Sequence, residues 1–190
     1  MPPHEQINTA TDQIELGGRS TRTSTSNCSF CAVATLIGEG ATSTSIWKEL
    51  VPGRRSRKPE GSIGFARYHA EKQNEKIYGI DPNAVDYQQL GMLSYLETKG
   101  LAAEYENKQE ESRALMAMAA YPSGTRFLVS LSGNNVNHII YGEKYGNHLH
   151  FIDSQPTPAI HYLDRPKIWN AQGEFFHGDD IQFIAVRPEE

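Results

Sequence analysis

The chain has only two cysteines, and both lie in the run Asn27-Cys28-Ser29-Phe30-Cys31-Ala32-Val33-Ala34. This run predicts a helix over 28–37, with Asn27 as its N-cap residue and Gly38 as its stop. Unpaired N–H groups and the helix dipole at such a start favour a thiolate over a thiol. The same N–H groups can stabilise the oxyanion that forms when a thiolate attacks an amide carbonyl. Cys28 is therefore the candidate nucleophile.

Three other interpretations of the cysteines remain open. A buried cysteine often serves only as a small apolar side chain, which suits Cys31, one turn deeper beside Ala and Val. A redox pair would use the Cys-x-x-Cys spacing, but the strand expected before it is replaced by a polar segment. A zinc site would need two further ligands, and the strand spacing of His148 and His150 does not match a zinc finger.

A predicted hairpin carries the second group of candidate residues, His138 and Asp153. Its two strands flank Lys144-Tyr145-Gly146-Asn147. A turn centred between Tyr145 and Gly146 gives paired residue numbers that sum to 291, and it places His138 directly opposite Asp153. An acid in that position can hold the imidazole in one tautomer.

A competing register of this hairpin uses Gly146-Asn147 as the two-residue turn, so that paired numbers sum to 293. His138 then faces Gln155, which is also able to orient an imidazole. We expect the first register because it has the better charge match. The alternative without a catalytic role is that His138 and Asp153 form a cross-strand ion pair at the protein surface.

The elements around these residues change in character along the chain. Helical patterns come first, and short runs of β-branched and aromatic residues follow. We expect further helices over 45–50, within 63–76, over 86–99 and over 109–120. We expect strands over 126–131, 138–141, 148–153, 159–163 and 181–186. This order predicts an α+β fold, in which an N-terminal helical half carrying the cysteine packs on a C-terminal antiparallel sheet carrying the His and the Asp.

Length and composition narrow the function classes. The 190 residues suit one catalytic domain over 26–190, preceded by a flexible leader over 1–25 that is rich in Ser, Thr and Gly. The net charge of −5 lacks the basic footprint of nucleic-acid binding, although the basic run 54–58 could dock an acidic partner. No apolar run is long enough to span a membrane and no secretory signal is visible, and we expect no cofactor and no metal.

Two blocks of the sequence resemble the papain-fold toxin domains of bacterial polymorphic toxin and effector systems, a group often described as glutamine deamidases. The first block is Asn27-Cys28-x-x-Cys31-Ala32-Val33-Ala34, and the second comprises Gly124-Thr125-Arg126-Phe127, His138-Ile139-Ile140 and Phe151-Ile152-Asp153-Ser154-Gln155. The resemblance implies a papain-like fold with Cys28 as nucleophile, His138 as general base and then acid, and Asp153 as the orienting group. The Cys-x-x that precedes the papain nucleophile would instead favour Cys31, which stays an alternative.

The resemblance also implies a biological setting. Such a protein would be made in the bacterial cytoplasm, delivered by a specialised secretion system and active in the cytosol of a host or competitor cell. Its partners would be a protein substrate there and an immunity protein or chaperone in the producing cell. The expected activity is deamidation of a glutamine on that substrate. A cysteine protease would use the same triad on a backbone amide, and a non-catalytic binding module on the same fold is the rival from another class.

Overall fold

The computed structural model describes residues 10, 27–50, 65, 68–69, 85–170 and 172–188. Over these residues the fold is α+β with an antiparallel sheet. The helices are α1 (Cys28–Ile37), α2 (Ser43–Leu50), α3 (Val85–Thr98) and α4 (Glu111–Ala119). The strands are β1 (Ala103–Glu110), β2 (Arg126–Gly133), β3 (Val136–Tyr145), β4 (His148–Asp153), β5 (Ile160–Leu163), β6 (Ile168–Trp169), β7 (Phe175–Phe176) and β8 (Asp180–Val186).

Six strands form the main sheet, in the order β1-β8-β2-β3-β4-β5, and each neighbouring pair is antiparallel. Strand β8 therefore lies inside the sheet, between β1 and β2, although it follows every other strand in sequence. Strands β6 and β7 form a separate two-stranded sheet.

Each face of the main sheet supports its own apolar core, because successive residues of a strand point to opposite faces. One core joins α1, α2 and α3 to the sheet through Leu128, Tyr141, Ile152 and Ile184. The other joins α4 and β6 to the sheet through residues such as Val129, Phe151 and Phe183. The sheet is thus covered on both sides, and α4 lies on the opposite face from the cysteine-bearing helix.

Helix α1 has the bounds expected from the sequence, and it is fixed at both ends. Its residues from Ser29 to Leu36 are all buried, so packing holds it along its length. Gly38 ends the helix at a φ of 69°, a left-handed conformation that glycine adopts without strain. The Arg126 guanidinium on β2 donates to the carbonyl of Leu36 in the last turn, where a cation is favourable.

The register expected for the β3–β4 hairpin is wrong. Tyr141 pairs with Ile152 and Tyr145 with His148, which is the register whose paired numbers sum to 293. Gly146 has a φ of 62° and becomes the first central residue of the turn, the position at which a type II′ turn requires a positive φ. The expected turn would have made Tyr145 the first central residue and could not have used glycine there.

This shift of register leaves His138 and Asp153 on one face of the sheet. Both registers pair even-numbered residues of β3 with odd-numbered residues of β4, so the faces are unchanged. His138 and Asp153 become diagonal neighbours across the two strands instead of a directly opposed pair. A diagonal distance is still within reach of an imidazole and a carboxylate.

The other differences from the expected elements lie at sheet edges and in short strands. Strands β1, β6 and β7 were not expected, and the helix expected over 109–120 spans Glu111–Ala119. The sequence of β1, Ala103-Glu-Tyr-Glu-Asn-Lys-Gln-Glu, is unusually charged for a strand; pairing with β8 overrides its weak propensity, and the charges suit an edge.

Several other expectations concern residues that the structure mostly leaves undescribed. The leader over 1–25 lies outside the described residues except for Ala10, which is buried in the α1 core. The basic run 54–58 lies outside them entirely. Of the helix expected within 63–76, only residues 65, 68 and 69 are described, and they are helical. No helix in the described part of the chain is long and apolar enough to cross a membrane.

Candidate active site

Cys28 is the first residue of α1, and its thiol is partly exposed. The thiol lies close enough to the imidazole of His138 to help raise the pKa of that imidazole. Asn27 occupies the N-cap position, but its side chain makes no capping hydrogen bond. Instead, it donates to Ser43 Oγ at 3.4 Å and accepts from Gln155 Nε2 at 3.2 Å. The first turn of α1 therefore lacks the side-chain cap that an Asn at this position usually supplies.

His138 lies near the beginning of β3 and is buried. Its Nε2 lies 2.7 Å from Oδ2 of Asp153, at the end of β4. The indole of Trp169 packs edge-on against the imidazole, with 5.4 Å between ring centroids. Because Nε2 is engaged by the carboxylate, Nδ1 is the ring nitrogen left to face the Cys28 thiol.

Asp153 is buried and lies among N–H donors. Trp169 Nε1 donates to Oδ2 at 2.6 Å, and the backbone N–H of Gln155 donates to Oδ1 at 3.1 Å. An ionised carboxylate can only accept hydrogen bonds, so these contacts favour the charged form. They also assign the proton on Nε2 to His138, which donates it to Asp153.

The electrostatics of the pair follow from this arrangement. Burial disfavours the imidazolium, but the charge and hydrogen bond of Asp153 and the hydrogen bond of Cys28 outweigh it and raise the pKa of His138. Burial works against the carboxylate too, yet His138, Trp169 and the Gln155 N–H together lower the pKa of Asp153. These interactions favour the charged form of each group, the imidazolium at His138 and the carboxylate at Asp153.

The structure brings Cys28, His138 and Asp153 together: His138 contacts the Asp153 carboxylate, and the Cys28 thiol influences the pKa of His138. Cys31 is buried one turn further along α1, and its carbonyl oxygen lies 2.8 Å from Thr35 Oγ1 and 3.1 Å from Ser154 Oγ. The observed register is the one expected to place Gln155 opposite His138, yet the Gln155 side chain donates to Asn27.

Four of the other histidines make contacts elsewhere. His148 pairs with Asp164 at 3.0 Å, and His150 contacts His161 at 2.9 Å. His177 lies 3.2 Å from the carbonyl of Pro166. Within the described ranges, no cluster of three or more His, Cys, Asp or Glu side chains could hold a metal ion.

Sequence reasoning missed Trp169. It lies in β6, sixteen residues after the carboxylate that it contacts, in a segment without a recognisable motif. The available signal was the Trp itself, in Lys167-Ile168-Trp169-Asn170, because an indole N–H that folding removes from water needs an acceptor. That signal indicates an acceptor but does not identify Asp153.

Comparison with protein-family models and with curated proteins yields no match. Among solved structures, the chain is similar to the crystal structure of the Pseudomonas avirulence protein AvrPphB. The two share 11% sequence identity, and the alignment covers 95% of this chain and 90% of that chain with a TM-score of 0.43.

Proposed function

We propose that this protein is a cysteine-dependent amide hydrolase with a papain-like arrangement, in which Cys28 is the nucleophile, His138 the general base and acid, and Asp153 the orienting group. One observation carries the proposal. A partly exposed cysteine at the start of a buried helix lies close enough to His138 to help raise the pKa of its imidazole, and Nε2 of that imidazole lies 2.7 Å from a buried carboxylate. Thiol, imidazole and acid in this order form the constellation of nucleophilic acyl transfer.

The first step is activation of the sulfur. His138 accepts the thiol proton at Nδ1, and the resulting imidazolium is stabilised by Asp153 through Nε2. The pair of thiolate and imidazolium is a stronger nucleophile than a neutral thiol. A raised pKa at His138 favours this charged resting state.

The second step is acyl transfer. The thiolate attacks the carbonyl carbon of a carboxamide, and the negative charge moves to the carbonyl oxygen. The N–H groups of the first turn of α1, which the Asn27 side chain does not cap, are suited to stabilise that charge. The C–N bond then breaks, and the nitrogen leaves as ammonia with the proton from His138. Water attacks the thioester while His138 removes its proton, which yields a carboxylate and restores the Cys28 thiol.

The proposed substrate is a glutamine side chain on a protein of a host or competitor cell, reached through a specialised secretion system. The sequence blocks that resemble the glutamine deamidase toxin domains support this choice, since they contain all three proposed catalytic residues. The same chemistry on a backbone amide would release a new amino terminus instead of ammonia. An experiment must therefore determine whether a side-chain or a backbone C–N bond is broken.

The test compares wild type with Cys28→Ser, incubated with a recipient-cell lysate and analysed by quantitative mass spectrometry. We expect glutamine-to-glutamate conversion at a discrete site with wild type only, and Cys31→Ser should retain that conversion. New peptide termini with wild type only would replace deamidation by proteolysis. Identical peptides from wild type and Cys28→Ser, both folded by circular dichroism, would overturn the hydrolase proposal.

A further inference from the structure

Asp153, the last residue of β4, and the two residues after it, Ser154 and Gln155, are all buried at the site. Each of them contacts a different part of the site. Asp153 contacts His138 on β3, while Ser154 and Gln155 contact α1 on either side of Cys28. The segment that contains Asp153, which contacts the imidazole, therefore also forms hydrogen bonds with α1 and its N-cap residue.

The contact between Ser154 and α1 involves two hydroxyl groups, those of Ser154 and Thr35. Their oxygens lie 2.7 Å apart, and the carbonyl oxygen of Cys31 lies 3.1 Å from Ser154 Oγ and 2.8 Å from Thr35 Oγ1. Each hydroxyl has one proton to donate. One proton must join the two oxygens, because two oxygens at this distance without a proton between them would repel. The other proton then reaches the Cys31 carbonyl, whichever hydroxyl supplies it.

These hydrogen bonds lie on both sides of Cys28 along the chain. The Cys31 carbonyl lies one helical turn after Cys28. Asn27, which accepts a hydrogen bond from Gln155, is the residue before Cys28. Apolar packing stabilises α1 against the sheet, but it is non-directional. It therefore only weakly determines how far the helix is shifted along the helix axis. Directed hydrogen bonds on both sides of Cys28 specify that position more sharply.

We propose that the Thr35–Ser154 hydroxyl bridge is a positioning device that holds the Cys28 thiol in register with His138. The inference rests on the proposed function, since register matters only if the thiol and the imidazole act together. Misplacement by about an ångström can cost on the order of 10²-fold in rate at a reacting centre. Both hydroxyls act through α1 and take no part in the reaction itself.

The test uses Thr35→Val, Ser154→Ala and Thr35→Ser, each in a common Cys31→Ala background so that Cys28 is the only thiol. The readout is the second-order rate of alkylation by iodoacetamide between pH 5.5 and 9.5. Coupling to an imidazolium keeps a thiol reactive at pH 6.5, where an uncoupled thiol is almost wholly protonated. We expect Thr35→Val and Ser154→Ala to slow alkylation at pH 6.5 by roughly tenfold relative to pH 9.5, and Thr35→Ser to restore the rate.

Thr125→Val is the matched control for the loss of a buried hydroxyl. Thr125 is fully buried, and its hydroxyl donates to the carbonyl of Pro122 at 2.8 Å, in the turn before β2. We expect an unchanged pH profile in this variant. Melting temperatures of all variants show whether each one is folded. If Thr35→Val fails to fold, Ser154→Ala answers the question, because it leaves Thr35 able to donate to the Cys31 carbonyl.

The outcomes separate the two proposals. If folded Thr35→Val and Ser154→Ala alkylate with the wild-type pH profile, while His138→Ala does not, the bridge only stabilises the fold and the positioning role is wrong. If His138→Ala itself shows the wild-type profile, the thiol and imidazole are uncoupled and the proposed function fails first.

Discussion

Trp169 donates its indole N–H to the carboxylate oxygen of Asp153 that His138 also contacts. One oxygen thus accepts from two rings, and those rings pack edge-on against each other. The indole donates a hydrogen bond to the carboxylate of Asp153, and its ring limits the tilt of the His138 imidazole. Trp169 is therefore a positioning residue for the proposed triad, since it acts through Asp153.

Trp169→Phe should retain most of the ring packing and lose the hydrogen bond to Asp153. A hydrogen bond to a charged group contributes about 1.5–3 kcal/mol, so we expect a lower free energy of unfolding by an amount in that range. We also expect a fall in kcat with little change in KM, because the orientation of His138 is affected and substrate contacts are not. Urea titration and steady-state kinetics measure the two effects.

Trp47→Phe is the control for that experiment. Trp47 is a buried indole in the α1 core, packed edge-on against Phe30. It should lower stability without changing kcat. Equal kcat values for Trp169→Phe and wild type would contradict the positioning role of Trp169.

Asp153→Asn should preserve the shape of the site and remove its charge. An amide can donate to Nε2 and so stabilise the tautomer with its proton on Nδ1, which cannot accept the thiol proton. We expect a loss of roughly 10²–10⁴-fold in kcat/KM with the fold intact. The amide hydrolase assay measures the loss, and circular dichroism reports the fold. Near-normal activity would remove Asp153 from the proposed mechanism.

The buried pair of His138 and Asp153 should make stability depend on pH in both directions. The raised pKa of His138 contributes stability that is complete below the ordinary value of about 6.5 and is lost as pH rises through the folded-state value. The lowered pKa of Asp153 contributes stability that is complete above about 3.9 and is lost as pH falls through its folded-state value. Both contributions are therefore complete between about pH 4 and 6.5.

Urea unfolding of wild type and of the double variant His138→Gln/Asp153→Asn measures this dependence. We expect the difference in free energy of unfolding to be largest near pH 5.5 and to shrink at about pH 2.5 and pH 10.5. A difference that stays constant across this range would mean that the pair is not ionised in the folded protein.

Arg126→Met should loosen the far end of α1 without touching the triad. It removes the donor to the Leu36 carbonyl and the favourable charge at the helix C-terminus. We expect a loss of about 1–2 kcal/mol in the free energy of unfolding, with the activity per folded molecule nearly unchanged. Arg113→Met, at an exposed position on α4, is the control and should change stability by less than about 0.5 kcal/mol. Equal effects of the two substitutions would contradict a capping role for Arg126.

The local features of this site could be predicted from the sequence. The bounds of α1 follow from its apolar run and from Gly38, and both are confirmed. The shared face of His138 and Asp153 also follows, because strand alternation survives a register error of this kind. The register itself was wrong because the conformational demand of the turn at Gly146 outweighs the charge complementarity of a directly opposed His138 and Asp153.

The contacts that tie the site together could not be predicted in this way. Thr35 and Ser154 are 119 positions apart, and Gln155 and Asn27 are 128 apart. A single sequence contains no periodicity or spacing that joins such residues. Strand β1 was missed for a related reason, since its strand character comes from pairing with β8 and not from its own residues.

The interior position of β8 has a consequence for how the protein reaches its working form. A chain that emerges with its amino terminus first has the cysteine helix available long before β8, yet β1 and β2 have no common neighbour until β8 inserts between them. Contacts so distant in sequence form slowly, since the ends of a long loop must first meet. During its synthesis the polypeptide would therefore hold an incomplete sheet, and β1 would join the other strands only after β8 has been made.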